Sequence, residues 1–245
     1  MSGEKEQEVR HLALRKRRNM IAPSKVKLVT LFDPRSTISE QYRTIRTNIQ
    51  FSSIDNEIKS LMVTSSGPSE GKSTTVANLA VVFAQQGKKV LLVDADLRRP
   101  TVHYTFNVPN TFGMTNVLTK QVAFPEAIRK TEVEDLYVLT SGPIPPNPAE
   151  LLGAAAMDHL LKEAQDHFDM VLFDTPPVLA VTDAQILANK CDGTLLVIYS
   201  GKTEIELVTK AKELLESAKG KLLGTVLNHK EIKGNDYYYQ YYGTR

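Results

Sequence analysis

The run Ser66-Gly67-Pro68-Ser69-Glu70-Gly71-Lys72-Ser73 combines backbone freedom, a cation and a hydroxyl within one turn. Apolar, β-prone Leu61 to Thr64 precedes it, and Ser73 to Gly87 follows with apolar residues at helical spacing. A turn between strand and helix aims successive backbone N–H groups at one point, and the helix adds unpaired donors and the positive end of its dipole. Such a turn cradles phosphate. The pattern G-x-x-x-x-G-K-S/T is nearly met, with Ser66 in the place of the first glycine. The contact stretch is expected to include Gly67, Pro68, Ser69, Glu70, Gly71, Lys72, Ser73 and Thr74. Gly71 would admit the phosphates close to the backbone, Lys72 would supply charge to their oxygens, and Ser73 would offer its hydroxyl to Mg²⁺.

Two acidic strand ends could complete such a site. Val90 to Val93 runs into Asp94-Ala95-Asp96, and Met170 to Phe173 runs into Asp174. Carboxylates two apart on extended chain project to the same side, and carboxyl ends of parallel strands are where doubly wound sheets bind ligands. Asp174 reads as a holder of metal-bound water, Asp94 as a metal ligand, and Asp94 or Asp96 as a base. Asn228, at the end of another strand-like run, is a candidate contact for the base of a nucleotide; a buried turn asparagine is an equal reading. Asn189-Lys190-Cys191-Asp192 spells a guanine-reading string, but it falls between a helical segment and the next strand, on the wrong side of a sheet, and is read as coincidence.

The supporting elements alternate strand and helix, with further strands expected at Leu136 to Leu139, Thr194 to Tyr199 and Leu222 to Leu227. That pattern predicts an α/β P-loop NTPase fold, a mostly parallel, doubly wound sheet with helices on both faces. Residues 101–135 read as short helical patterns and turns, and Ala149 to His167 as one helix. The proline-rich stretch Gly142 to Leu151 should stiffen a rim of the site. The chain has 245 residues, 42% hydrophobic and 24% charged, enough for one large core. Its net charge of +2 offers no global field for nucleic acid, and none is expected as a partner. One cysteine, Cys191, excludes an internal disulfide framework and fits a reducing cytosol. No apolar run is long enough to span a bilayer, so a cytoplasmic chain is expected.

Three segments are expected: a basic polar arm over 1–35, a nucleotide-binding domain over 36–229 and a tail over 230–245. The arm clusters Arg10, Arg15, Lys16, Arg17 and Arg18, a solvated arm or an aid to docking on anionic headgroups. Ser36 to Phe51 reads as a helix whose apolar stripe is Tyr42, Ile45 and Ile49. Glu40, Arg43 and Arg46 share its polar face, either as solvated pairs or as a docking face between subunits. The tail carries Tyr237, Tyr238, Tyr239, Tyr241 and Tyr242, five of the nine tyrosines, in a segment that core packing would not produce. They read as phosphate acceptors.

Together these parts resemble the bacterial tyrosine kinases of capsule and exopolysaccharide synthesis, in the Gram-positive form whose cytoplasmic kinase is separate from its membrane activator. The resemblance spans roughly 36–245. Glu40, Arg43 and Arg46 look like the family's E-x-x-R-x-x-R oligomerisation motif, the loop like its Walker A, Asp94 and Asp96 like its second acidic motif, and Asp174 like its Walker B. Ser141-Gly142-Pro143 to Leu151 is similar to a family signature, and the tail to its tyrosine cluster. The resemblance implies Mg²⁺ and ATP, a homo-oligomeric ring, a membrane activator that recruits the kinase to the inner face of the membrane, tyrosine-bearing protein substrates, and autophosphorylation in trans. Ser66 and Ser69 depart from the family pattern; Ser69 has little freedom at positive φ, so the loop geometry is where a departure is expected. The rival readings are a switch ATPase of the same P-loop branch and an assembly scaffold that binds ATP without phosphorylating tyrosine.

Overall fold

The computed structural model describes residues 28–52 and 57–231. The arm's basic cluster and all five tail tyrosines lie outside the described residues.

Seven strands, β1 (Ser60–Ser65), β2 (Val90–Asp94), β3 (Ile128–Lys130), β4 (Leu136–Leu139), β5 (Met170–Asp174), β6 (Gly193–Tyr199) and β7 (Leu222–Asn228), form one sheet. Their spatial order is β3-β4-β2-β5-β1-β6-β7. Every pairing is parallel except β3 with β4. The chain builds leftward from β1 through β2 and β4, then returns and builds rightward through β6 and β7. The strand order reverses at β1. The crevice of an open α/β sheet therefore opens where β1 ends, at the start of the Ser66–Ser73 loop.

The strands are apolar on both sides because both sides are covered. Leu61, Val63, Leu92 and Leu172 enter one core with α1 (Val29–Phe32), α2 (Thr37–Phe51) and α3 (Lys72–Ala84). Met62, Leu91, Val93, Val171 and Phe173 alternate into the other. There they meet α7 (Pro148–Gly153), α8 (Ala155–His167), α9 (Asp183–Lys190) and α10 (Ile205–Ser217). In α3, Thr75 through Ala84 are all buried, so that helix is held from every side. Its first turn is thereby fixed against the strand ends.

Local sequence explains most boundaries. Ser36 caps α2 by accepting the Ser39 N–H, and Tyr42 and Ile49 are buried with Ile45 packed beside them, as the stripe predicts. The single helix expected over Ala149 to His167 is two. Ala154 is extended (φ −71, ψ 155), so α7 ends at Gly153 and α8 restarts at Ala155. Residues 101–135 hold three short helices and the antiparallel edge strand β3, whose three residues are too few to show a period.

Candidate nucleotide and phosphoryl-transfer site

The loop between β1 and α3 has a free inner lining. Gly71 is left-handed at φ 97 and caps α3, and Ser69 is left-handed at φ 62, a conformation that serine adopts at a cost. Ser69 thus takes the left-handed conformation a glycine would take there, so the residue type departs while the backbone does not. The N–H groups of Ser69, Glu70 and Gly71 have no acceptor among the described residues, whereas the N–H of Ser66 is bound by Glu70 Oε2 at 3.1 Å. With the first donors of α3, those amides form an anion cradle.

Acidic groups face it. Asp94 and Asp174 are register partners at the ends of β2 and β5, which sets their carboxylates side by side, both fully buried. Lys72 Nζ stands 3.2 Å from Asp96 Oδ2 and 3.6 Å from Asp174 Oδ1, and donates to Ser73 Oγ at 3.1 Å. Burial pulls the Lys72 ammonium down, but the charges of Asp174, Asp96 and Asp94 outweigh it and leave its pKa above the ordinary value. Burial raises Asp174, opposed by the Lys72 charge. It raises Asp94 well above the ordinary value, helped by the charge on Asp174. Lys72 is thus held between Asp96 and Asp174 beside the loop.

The two carboxylates of the Asp94-Ala95-Asp96 turn lie in different surroundings. Asp94 Oδ2 accepts the N–H groups of Thr101 and Val102, both at 2.9 Å, at the start of α4 (Val102–Thr105). Both its oxygens are in the interior, out of reach of an incoming hydroxyl. Asp96 lies past the end of β2, accepts the Arg99 N–H at 3.0 Å and keeps its other oxygen on Lys72. Of the two candidate bases, only Asp96 borders the cradle.

Asp174 Oδ1, Asp174 Oδ2 and Asp94 Oδ1 are buried without a hydrogen-bond partner. Three carboxylates against one ammonium leave the cluster short of positive charge. Among the described residues no three His, Cys, Asp or Glu side chains make a complete metal site. Mg²⁺ ordinarily takes only one or two carboxylates together with water and phosphate oxygens, so the residues present fit that ion better than a protein-only cage.

Asn228 ends β7 as expected. Its Nδ2 donates to the Glu70 carbonyl at 2.9 Å and its Oδ1 accepts the His229 N–H at 3.0 Å, so the carboxamide fastens the loop. Reading a base would require one of these bonds to exchange. Asp192 of the guanine-like string instead accepts the N–H groups of Lys59 at 3.0 Å and Ser60 at 2.8 Å, at the opposite end of the sheet. Glu40 and Arg43 pair on the surface, and Arg43 also reaches the Pro34 carbonyl, while Arg46 Nη1 donates to the Val82 carbonyl near the end of α3 at 2.6 Å. A helix's last carbonyls attract a cation, and Arg46 meets this one while the charges of Arg43 and Glu40 still act on it. Sequence reasoning missed Thr203, whose hydroxyl donates to Glu70 Oε1 at 2.9 Å from 133 residues away; nothing local marks it.

A mostly parallel sheet, a phosphate loop at its switch point and acidic ends on the neighbouring β5 and on β2 beyond it define a P-loop nucleotide-binding protein. Residues 58–219 match a family described as an AAA domain. The tyrosine-protein kinase YwqD of Bacillus subtilis (strain 168) is 57% identical over 234 residues, covering 96% of this chain and 98% of that one. The crystal structure of the chimerical protein CapA2B2 superposes with a TM-score of 0.81 at 45% identity, over 84% of this chain and 90% of that one. The kinase domain of the Escherichia coli tyrosine kinase ETK gives 0.79 at 34% identity, over 84% and 83%. The chain belongs to the bacterial tyrosine-kinase family.

Proposed function

We propose that this chain is an ATP-dependent protein-tyrosine kinase. Its acceptors would be Tyr237, Tyr238, Tyr239, Tyr241 and Tyr242 of a neighbouring copy. It would act in capsule or exopolysaccharide synthesis as a homo-oligomeric ring, recruited by a membrane activator to the inner face of the cell membrane. Among the described residues no helix is long and apolar enough to cross a membrane, so recruitment needs another contact. The domain would lie within 36–229, with the arm before it and the acceptor tail from 230.

One observation carries the reading: the Lys72 ammonium is held at the mouth of an amide-lined loop by Asp96 and Asp174. The loop amides would bind the phosphates of ATP, and Lys72 would transfer from the carboxylates to the phosphate oxygens. Ser73, Asp94 and Asp174 would hold Mg²⁺, which supplies charge neutralisation on the phosphates when bound. Losing Lys72 leaves Asp96 Oδ2 free to accept a proton. A phenol has a pKa of about 10, so its proton must leave as the phosphoryl group arrives. The bond from tyrosine oxygen to the γ-phosphorus forms, the bond from that phosphorus to the bridging oxygen of ADP breaks, and the phenolic proton passes to Asp96. Such transfer depends mainly on positioning and charge stabilisation, which this cluster is built to provide.

Mixing two chains of different tag length tests the trans reading. One carries Lys72→Met with its tail intact, and the other is otherwise wild type with all five tail tyrosines changed to phenylalanine. With Mg²⁺ and ATP, phosphotyrosine should appear on the Lys72→Met chain. Phosphorylation of wild type without any on the Lys72→Met acceptor would overturn transfer between copies.

A further inference from the structure

We infer that Glu70 is a positioning residue for the phosphate loop, acting through a hydrogen bond to Thr203 that ties the loop to the turn after β6. The P-loop pattern leaves the residue before Gly71 free, yet here it is a carboxylate only 7% exposed. Its Oε2 accepts the N–H of Ser66 at the start of the loop and its Oε1 accepts the hydroxyl of Thr203. Its own carbonyl takes the Nδ2 of Asn228 from the end of β7. Thr203 is itself fixed, because its Oγ1 accepts the Tyr199 N–H at 3.1 Å. A Cβ on Gly67 would lie 3.4 Å from Glu70 Oε1, which places the carboxylate directly under the loop.

This arrangement has a cost that calls for a return. Glu70 takes part in no ion pair among the described residues, and its charge lies beside a cradle meant for phosphate. An acid there opposes anion binding electrostatically. What it offers is geometry: both ends of the loop are fastened to one rigid group while Ser69 is held left-handed and its neighbours' amides stay free. The sequence thus breaks a local electrostatic rule to preorganise a site. Charge and brace can be separated, since glutamine keeps an acceptor for Ser66 and a polar partner for Thr203 but removes the charge.

The inference rests on the nucleotide-binding reading, and the test separates the two. Affinity for a fluorescent ATP analogue with Mg²⁺, ATP KM, kcat and melting temperature are measured for wild type, Thr203→Val, Thr203→Ser, Glu70→Ala, Glu70→Gln, the Glu70→Ala/Thr203→Val double variant and Lys72→Met. Thr203→Val should weaken nucleotide binding roughly five-fold or more with kcat changed less than KM, and Thr203→Ser should restore it. In the Glu70→Ala background Thr203→Val should add nothing, because the bond is already gone. Glu70→Gln should lose less binding than Glu70→Ala, because it keeps an acceptor for Ser66. Independent, additive losses from the two sites, or a Thr203→Val protein that binds like wild type, would overturn the brace while wild-type binding lost in Lys72→Met leaves the nucleotide reading standing. Wild type that fails to bind would overturn both.

Discussion

Gly71→Ala tests the loop at its tightest point. A Cβ there would lie 2.0 Å from Asn228 Nδ2 and 3.2 Å from its Cγ, on a backbone at φ 97. Restoring ordinary contact requires a displacement of about 1.4 Å, and the Asn228 bond to the Glu70 carbonyl is the first casualty. The left-handed backbone costs an alanine about 1–2 kcal/mol, and the lost hydrogen bond about 1 kcal/mol. At roughly 2–4 °C per kcal/mol for a domain of this size, the melting temperature should fall by roughly 5–10 °C. Activity should suffer more, because a misplacement near 1 Å costs on the order of 10²-fold in turnover. Asn228→Ala removes the obstacle, so the double variant should lose less than the sum of the single changes, with the backbone cost remaining. Thermal melts and single-turnover phosphotyrosine formation read both effects. Full activity in Gly71→Ala, or strict additivity with Asn228→Ala, would refute the close approach of loop and β7.

Ligand-free stability should depend on pH with a definite sign. Burial raises Asp94 and Asp174 above the ordinary range, so the folded chain binds their protons more tightly than the unfolded chain. Their contribution is full below about pH 4 and is lost as pH rises through the folded values. The melting temperature should carry a falling component over that rise, and Asp174→Asn should flatten it; a steeper fall in the variant would contradict the assignment. Arg98 donates to both oxygens of buried Asp183, at 2.9 and 3.0 Å, so Arg98→Ala should cost about 2 kcal/mol in urea unfolding, moderated because the Arg98 side chain is 41% exposed. Asp192→Ala should destabilise the chain by freeing the Lys59 and Ser60 amides while leaving the preference for ATP over GTP unchanged in competition binding.

The strand, loop and helix that make the cradle were legible because each has a local signature: an apolar run, turn formers, then helical spacing. Asp94, Asp96 and Asp174 were legible as strand ends, and the register of β2 with β5 makes neighbours of two of them. Their different surroundings were not legible. The amides of Thr101 and Val102 hold Asp94 Oδ2 and leave its Oδ1 without a partner, which depends on how the chain turns after β2. The bond from Arg46 to the Val82 carbonyl was not legible, because spacing records the helix that carries Arg46 and not the neighbouring helix it meets. Thr203 and Asn228 reach Glu70 across the sheet, a relation set by topology. The break at Ala154 went unseen because alanine favours helix and nothing in its own chemistry stops one.

Intact-mass spectrometry of purified wild type and Lys72→Met, each incubated with Mg²⁺ and ATP, bears most directly on the kinase account. The account predicts successive additions of phosphate in wild type, mapping to Tyr237, Tyr238, Tyr239, Tyr241 and Tyr242, and none in Lys72→Met. ATP consumption by wild type without any gain in mass would contradict it, and would make the chain a switch ATPase built on the same loop.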